Sequence, residues 1–538
     1  MRAADGRFVE ALQDYDAAVD HAEAIRTRLT TPTVQAGYRA LVEFVYAAPV
    51  ALHLQRGQFD RAFTAAERAR SRVLADLLAG RSARPHRDVP QELLARRDEL
   101  RTSLDQAYAA DEPPADLPKM ERVLADLDRQ IELLDPAYAG LTTIAPLTAE
   151  EVQRFLPANS ALLTYASDAD DRLWALVVTA ADVHAVQIPR LSVHWLQAYL
   201  ADHFEGDRRG SLVPAPQTGH LAPPRLLPDL YRALIEPVWD RLAAVQTLYI
   251  MPFGPLHYLP LGALLPDLAG PAPLLAAGRR VVYAPSATVL LKYCRARPAS
   301  DRRSVLAVAP EDARLRFTQG AAKAVARHAN GAYLIGPAAT RQALFDQGGQ
   351  HAVLLFLGHA FFDRRYPMSS GLQLADGRLQ ASEILRELRL QADLVILAAC
   401  ESGRGQVLRG EEILGLSRAV LYAGSPSLLV TLWPVHEIPT RLFAEKFLAS
   451  LYPTPSETAA DPAFALADTQ RWLRALSYAE AQALLAGWVT ISAPDIEKHL
   501  GDLWRMTHSG ETPTASSQLF AHPFFWAPYI MIGERGTS

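Results

Sequence analysis

The chain has 538 residues, of which 49% are hydrophobic and 21% are charged, a composition typical of a folded globular protein with two to four domains. The formal net charge of −5 excludes a basic field of the kind that attracts nucleic acid or an anionic membrane. The presence of only 2 cysteines, Cys294 and Cys400, excludes a disulfide framework.

No sequence feature predicts export or membrane anchoring. Residues 1–7 have no apolar signal core, and no apolar run approaches the roughly 18 residues that span a bilayer. The low cysteine content suits a reducing compartment. Richness in Ala, Leu, Arg and Pro is typical of a GC-rich bacterial gene. We therefore expect a bacterial, cytoplasmic protein with neither nucleic acid nor membrane as a partner.

Residues 1–140 are predicted to be all-helical. The stretches starting at Gly6 and Gly57 place aromatic residues and alanines on one helical face, as helix-pair repeats require. Both resemble tetratricopeptide repeats, although their spacing exceeds the usual ~34-residue period. A further helix is predicted over residues 34–54, and Gln91–Ala109 and Lys119–Leu134 predict a helical hairpin. Such a region is a scaffold or a surface for a regulatory protein.

A different pattern begins near Leu147, where Thr148 and Glu151 have the spacing of a capping box. Short apolar runs then alternate with helical stretches, which predicts an α/β sheet covered on both faces. The predicted strands are Ala161–Tyr165, Leu173–Thr179, Thr247–Met251, Val281–Ala284, Ser304–Ala309, Val353–Gly358, Leu394–Ala399, Ser427–Leu432 and Pro528–Gly533.

Two predicted strands end directly before reactive residues, His359 and Cys400. Adjacent parallel strands would bring both to one carboxyl edge, where open α/β sheets bind ligands. A thiol and an imidazole there are a candidate nucleophile and base, because the imidazole can hold the pair as thiolate and imidazolium. The backbone N–H groups of Ala360 and Cys400 are candidate donors to the oxyanion. The alternative is a buried cysteine that only packs, the role expected of Cys294.

Several blocks, taken together in order, resemble the CHAT family of caspase-like cysteine peptidases, which are associated with tetratricopeptide repeats and distantly related to separases and caspases. The likeness extends from about Thr148 to the C-terminus, and Gln58–Gly80 resembles the helical segment that usually precedes the domain. The blocks are Met251–Pro260, Tyr283–Ala287, Ser370–Leu379, Gly410–Ala419, Thr431–Val435 and His522–Ala527.

The resemblance implies an α/β caspase-like domain, with a mixed and mostly parallel sheet and helices on both faces, after an all-α tetratricopeptide-like region at 1–140. Residues 148–303 would be a non-catalytic caspase-like half and 304–538 the catalytic half. Cys400 and His359 would be the catalytic pair, without metal or cofactor. Relatives usually follow the histidine with Gly, whereas this chain has Ala360. Because Gly takes positive φ more freely, we expect Ala360→Gly to retain or raise activity.

A caspase-like groove would pair the substrate with a sheet edge. Ser427–Leu432 and the turn that follows are candidates for its wall, and Trp433 is a candidate pocket wall rather than a core aromatic. Glu401 and Glu437 are candidates for binding a basic substrate side chain. The alternative for both acids is a solvated surface position.

These features predict a cysteine endopeptidase that cleaves a protein substrate through a thioester and is regulated by a protein bound to its helical repeats. The alternative is a catalytically silent scaffold whose repeats carry the function, which the Ala360 departure favours. Retention of both Cys400 and His359 favours the enzyme. A third alternative is a zymogen that needs an activating partner.

Overall fold

The computed structural model describes most of the chain. The described residues are 6–26, 38, 41–70, 74–75, 78, 89–109, 116–134, 145–168, 170–204, 221, 225–297, 303–312, 315–328, 331–361, 367–399, 406–407, 413–453, 460–488, 492–508 and 511–536. Cys400, Glu401 and residues 34–37 of a predicted helix lie outside them.

The described residues of the N-terminal part are mainly helical, as predicted. Its helices are α1 Phe8–Arg26, α2 Glu43–Gln55, α3 Phe59–Ala69, α4 Gln91–Ala109 and α5 Leu117–Leu134. Ala62 and Ala66 of α3 are buried, as is Phe63 between them. The predicted hairpin forms, because α4 packs against α5.

The strands include all nine that the apolar runs predicted, each with boundaries within two residues. They are β1 Ser160–Ser167, β2 Arg172–Thr179, β3 Val183–Ser192, β4 Thr247–Met251, β5 Arg280–Tyr283, β6 Val305–Ala309, β7 Ala332–Ile335, β8 Val353–Gly358, β9 Ala360–Phe361, β10 Gly371–Leu374, β11 Gly377–Gln380, β12 Leu394–Ala399, β13 Gln406–Val407, β14 Ile413–Leu414, β15 Leu428–Thr431 and β16 Tyr529–Ile532.

Eleven strands of the described residues form one mixed sheet, in the order β3-β2-β1-β4-β5-β16-β15-β12-β8-β6-β7. Seven of its ten neighbouring pairs are parallel. Every residue of β4, β5, β6 and β15 is buried. Because successive side chains of a strand point to opposite faces, both faces of the sheet are covered at these strands.

The sheet changes direction at β16, which is parallel to β5 but antiparallel to β15. The strands on the β4 side therefore run opposite to those on the β8 side. As a result, the carboxyl ends of β6, β8, β12 and β15 share one edge of the sheet. The carboxyl ends of β1, β4 and β5 lie at the other edge.

Several helices between the strands begin with a side-chain cap. The predicted capping box forms at Thr148, whose hydroxyl accepts from the Glu151 N–H while the Glu151 carboxylate accepts from the Thr148 N–H. The helices are α6 Ala149–Phe155, α7 Val193–Phe204, α8 Leu226–Leu230, α9 Trp239–Leu242, α10 Ala287–Val289, α11 Thr318–His328, α12 Arg341–Gly348, α13 Ala381–Glu387, α14 Leu416–Ala423, α15 Glu437–Leu451, α16 Pro462–Ala475, α17 Tyr478–Ala486, α18 Ala493–Thr507 and α19 Pro523–Trp526.

Short 3₁₀ and π turns join several of these elements. They span Tyr231–Ile235, Glu236–Val238, Gly254–Tyr258, Leu261–Ala263, Pro273–Leu275, Leu290–Cys294, Gly336–Ala338 and Pro367–Ser369. The helices of the described part all fall short of the length and apolar character that crossing a bilayer requires.

The helical part is anchored to the sheet through two buried charged residues at the end of α3. Glu67 accepts hydrogen bonds from the backbone N–H groups of Ala287 and Thr288 and from the Thr288 hydroxyl. Arg70 donates to the carbonyl oxygens of Tyr165, Met251 and Pro252. The end of α3 thus fills the space at the carboxyl ends of β1 and β4.

Candidate active site

His359 directly follows β8, as predicted, and lies at the carboxyl edge of the sheet. The strand before it is completely buried up to Leu357, which fixes the position where the chain leaves the sheet. In the pairing of β8 with β12, Gly358 is level with Ala399. The two strands therefore end at the same height.

The side chain of His359 faces a carboxylate that the sequence did not single out. Its Nε2 atom lies 3.1 Å from Oδ2 of Asp312, with side-chain exposures of 27% and 21%. Nε2 itself is enclosed and makes no hydrogen bond of good geometry with the described residues. The imidazole is thus held at ion-pair distance from an acid on the loop after β6, the other neighbour of β8.

Ala360 begins a small three-stranded sheet of β9, β10 and β11. His359 accepts a hydrogen bond from the Gln373 N–H at 2.9 Å, and Ala360 is level with Leu372. In an antiparallel ladder, hydrogen-bonded and non-bonded pairs alternate, so the Ala360 N–H points away from β10. That orientation suits a donor to a ligand.

The backbone at Ala360 is ordinary strand geometry. Among described residues other than glycine, only Asp171 has positive φ. The expected conformational cost of Ala in place of Gly is therefore absent from this conformation. The block Ser370–Leu379 that follows contains most of the antiparallel β10–β11 pair.

The candidate groove residues are placed differently from one another. Trp433 lies in the core rather than on a groove wall, because it is 0% exposed and its indole N–H donates to the Phe524 carbonyl at 3.0 Å. Glu437 is partly buried at the start of α15 and accepts from the Phe317 N–H at 3.2 Å. Burial raises the pKa of Glu437, and the hydrogen bond from Phe317 opposes that rise.

Cys294 is buried in the turn Leu290–Cys294. Burial raises the pKa of its thiol to about 12. A thiol that stays protonated at neutral pH is a poor nucleophile, which agrees with the structural role expected of Cys294.

A family model described as the CHAT domain matches residues 224–534, more than half of the chain. The chain belongs to the CHAT domain family. The mixed, mostly parallel sheet of its CHAT domain confirms the caspase-like α/β fold expected from the sequence. The matched residues include His359 and Asp312. Strands β1–β3 lie before the matched residues. They nevertheless belong to the same sheet, because β1 pairs with β4.

The chain is also similar to one curated protein and to several solved structures. Tetratricopeptide repeat protein 28 of Mus musculus is 37% identical over 73 residues, which are 14% of this chain and 3% of that protein. A chain of the separase–securin complex of Saccharomyces cerevisiae aligns with 94% of the present chain, and the alignment covers 37% of that separate chain. The sequence identity is 10% and the TM-score is 0.44. The complex of the RgpB pro- and mature domains of Porphyromonas gingivalis aligns with 58% of this chain and 67% of its own, at 8% identity and a TM-score of 0.32.

Chemically, the described part of the CHAT domain supplies a base and a hydrogen-bond donor. An imidazole can accept a proton, and a carboxylate at ion-pair distance can stabilise the positive charge that the ring then carries. The backbone N–H of Ala360, which does not take part in the hydrogen bonds between β9 and β10, has the direction of a donor that can stabilise an oxyanion.

Proposed function

We propose that the chain is a cysteine endopeptidase in which Cys400 is the nucleophile and His359 is its base. The observation that carries the proposal is the level ending of β8 and β12, because His359 and Cys400 are the residues that follow those two strand ends. Membership of the CHAT domain family supports the same pair.

In the proposed reaction, the thiolate of Cys400 attacks the carbonyl carbon of the scissile peptide bond and forms a tetrahedral intermediate. The imidazolium of His359 then protonates the leaving amine, and a thioester acyl-enzyme results. Water, deprotonated by His359, hydrolyses the thioester and releases the acid product with the free thiol.

The developing oxyanion needs N–H donors. We assign this role to the backbone N–H groups of Ala360 and Cys400. The direction of the Ala360 N–H, away from β10, supports its assignment. Because Ala360 has strand geometry, the Ala-for-Gly departure no longer favours a catalytically silent scaffold.

For substrate preference, we propose that Glu437 and Glu401 receive a basic side chain. Glu437 begins α15, which follows β15, the neighbour of β12. It therefore comes from the same sheet edge as His359. Trp433 takes no part in this proposal because it is completely buried.

The helical part is proposed to bind a regulatory protein, and residues 148–303 to form a non-catalytic half beside the catalytic half at 304–538. Exposed apolar side chains on the first helices, Val9 and Phe44 with 71% and 72% exposure, support a protein partner. The strand order supports two halves, because the strands of residues 148–303 lie side by side at one side of the sheet and those of residues 304–538 at the other. The 2 cysteines support a reducing cytoplasm.

The proposal is tested by incubating peptides from a digested proteome with the full chain and identifying newly formed N-termini by mass spectrometry. Wild type and the matched control Cys294→Ala are expected to produce the same new termini. Cys400→Ala is expected to produce none. New termini that persist in Cys400→Ala would exclude this residue as the nucleophile.

A further inference from the structure

We propose that Asp312 is a positioning residue for His359. Its carboxylate holds the Nε2 edge of the imidazole, which leaves Nδ1 as the nitrogen that exchanges the proton with Cys400. The inference rests on the proposed function and adds a third residue to its machinery.

The first observation is the direction in which the imidazole is held. Nε2 of His359 is closed off from solvent and lies 3.1 Å from Oδ2 of Asp312. A carboxylate next to one ring nitrogen of a histidine electrostatically favours the tautomer with the proton on that nitrogen. Nδ1 then carries the lone pair that can accept a proton.

The second observation is the strand order β12-β8-β6. Cys400 follows β12, His359 follows β8, and Asp312 lies three residues beyond the end of β6 at Ala309. Neighbouring strands are about 4.8 Å apart, so the ends of these three strands lie in a row, with the end of β8 in the middle. A proton acceptor between a thiol and a carboxylate is the order that a relay of this kind requires.

The third observation is a set of backbone contacts next to Asp312 in the chain. The Asp312 carbonyl accepts from the Leu315 N–H at 3.0 Å. Two residues further on, the Phe317 N–H donates to Glu437 at the start of α15. These contacts hold the chain just beyond Asp312 at the sheet edge that carries His359.

Removing the carboxylate removes the charge that faces the imidazole, so we expect slower alkylation of Cys400 at a given pH. The competing role, in which Asp312 binds a basic substrate side chain, makes a different prediction. It would leave the reactivity of the thiol unchanged and weaken only the cleavage of peptides with a basic residue.

The experiment measures the second-order rate constant for alkylation of Cys400 by iodoacetamide as a function of pH in the full chain. The variants are Asp312→Asn, which removes the charge at constant size, and Asp312→Glu, which restores it. Glu311→Gln is the matched control, because Glu311 is the exposed neighbour of Asp312 on the same loop. We expect the pH midpoint to rise by about one unit in Asp312→Asn, to return partly in Asp312→Glu and to stay unchanged in Glu311→Gln.

A second readout does not depend on the thiol. In Cys400→Ala protein, the ¹⁵N chemical shifts of His359 report the tautomer, and we expect the proton on Nε2 with Asp312 and a mixture with Asp312→Asn. An unchanged alkylation midpoint together with an unchanged tautomer would overturn the positioning role. If wild-type Cys400 has no reactivity below the ordinary thiol range, the proposed function fails, whereas the tautomer still decides the role of Asp312.

Discussion

At the scale of single residues, the site is defined by where side chains meet the ends of strands. His359 and Ala360 could be placed from the sequence because an apolar run ended immediately before them. Asp312 could not be placed from the sequence, because it lies in a loop and nothing in the sequence shows that β6 is the neighbour of β8. Trp433 was misplaced because an aromatic residue after a strand fits a groove or a core equally well, and only packing decides between them.

Ala360→Gly tests the backbone geometry of the proposed oxyanion donor. Because residue 360 has ordinary strand φ, glycine relieves no strain, and we expect kcat to be retained within a factor of about two. Stability should fall by about 0.5–1 kcal/mol, the entropic cost of Gly in a strand. Ala375→Gly, in the exposed turn of the same hairpin, is the control. A tenfold or greater change of kcat, measured on a cleaved peptide, would contradict this account.

At the scale of elements, long buried runs were predicted with little error, whereas the edges of the sheet were missed. β3 and β7 are the two edge strands. The burial pattern of β7 is mixed, with exposed Tyr333 beside buried Leu334. Edge strands are half solvated, so their apolar signal is weak. The two-residue strand β9 was missed because two residues give no periodicity.

The start of α15 provides a pH-dependent element. The Nδ1 of His436 accepts from the Ile438 N–H at 3.3 Å, so His436 caps the helix in its neutral form. Burial, followed by the nearby charge of His499, lowers the pKa of His436 to about 4. Since this value lies below the ordinary histidine pKa of about 6.5, the stability contribution is present above about pH 6.5 and is lost as the pH falls toward 4.

His436→Asn should retain the helix cap, because asparagine is a favourable capping residue, and remove the titration. We expect wild type to lose about 2 kcal/mol more unfolding free energy than the variant between about pH 7 and pH 5. The measurement is urea unfolding at both pH values, with the exposed His194→Asn as control. Equal losses in wild type and His436→Asn would show that His436 is not neutral in the folded protein.

At the scale of the whole molecule, the helical part and the sheet form a continuous structure, joined by charged residues buried at the end of α3. The sequence predicted both parts but not their junction, because Glu67 and Arg70 look like ordinary surface residues of an amphipathic helix. It also gave no sign that the strand direction changes at β16, since direction depends on the path of the connections rather than on the apolar runs.

Glu67→Ala tests this junction. The change removes the acceptor for the N–H groups of Ala287 and Thr288 and for the Thr288 hydroxyl, all of which are buried. Unsatisfied buried donors each cost about 1–3 kcal/mol, so we expect a loss of about 2–4 kcal/mol in unfolding free energy and faster amide exchange at both residues. Glu10→Ala on the exposed face of α1 should change neither quantity. An unchanged urea midpoint and unchanged exchange in Glu67→Ala would mean that the anchor is not formed in solution.

The central claim is that Cys400 and His359 form a working pair, and it is tested most directly by the rate of iodoacetamide alkylation at Cys400 across pH. Cys294 is the internal control, because its buried thiol has a pKa raised to about 12, and His359→Ala is measured in parallel. The account predicts fast labelling of Cys400 well below the reference thiol pKa of about 8.5, lost in His359→Ala. Slow labelling that rises only near that value, and is the same in both proteins, would contradict it.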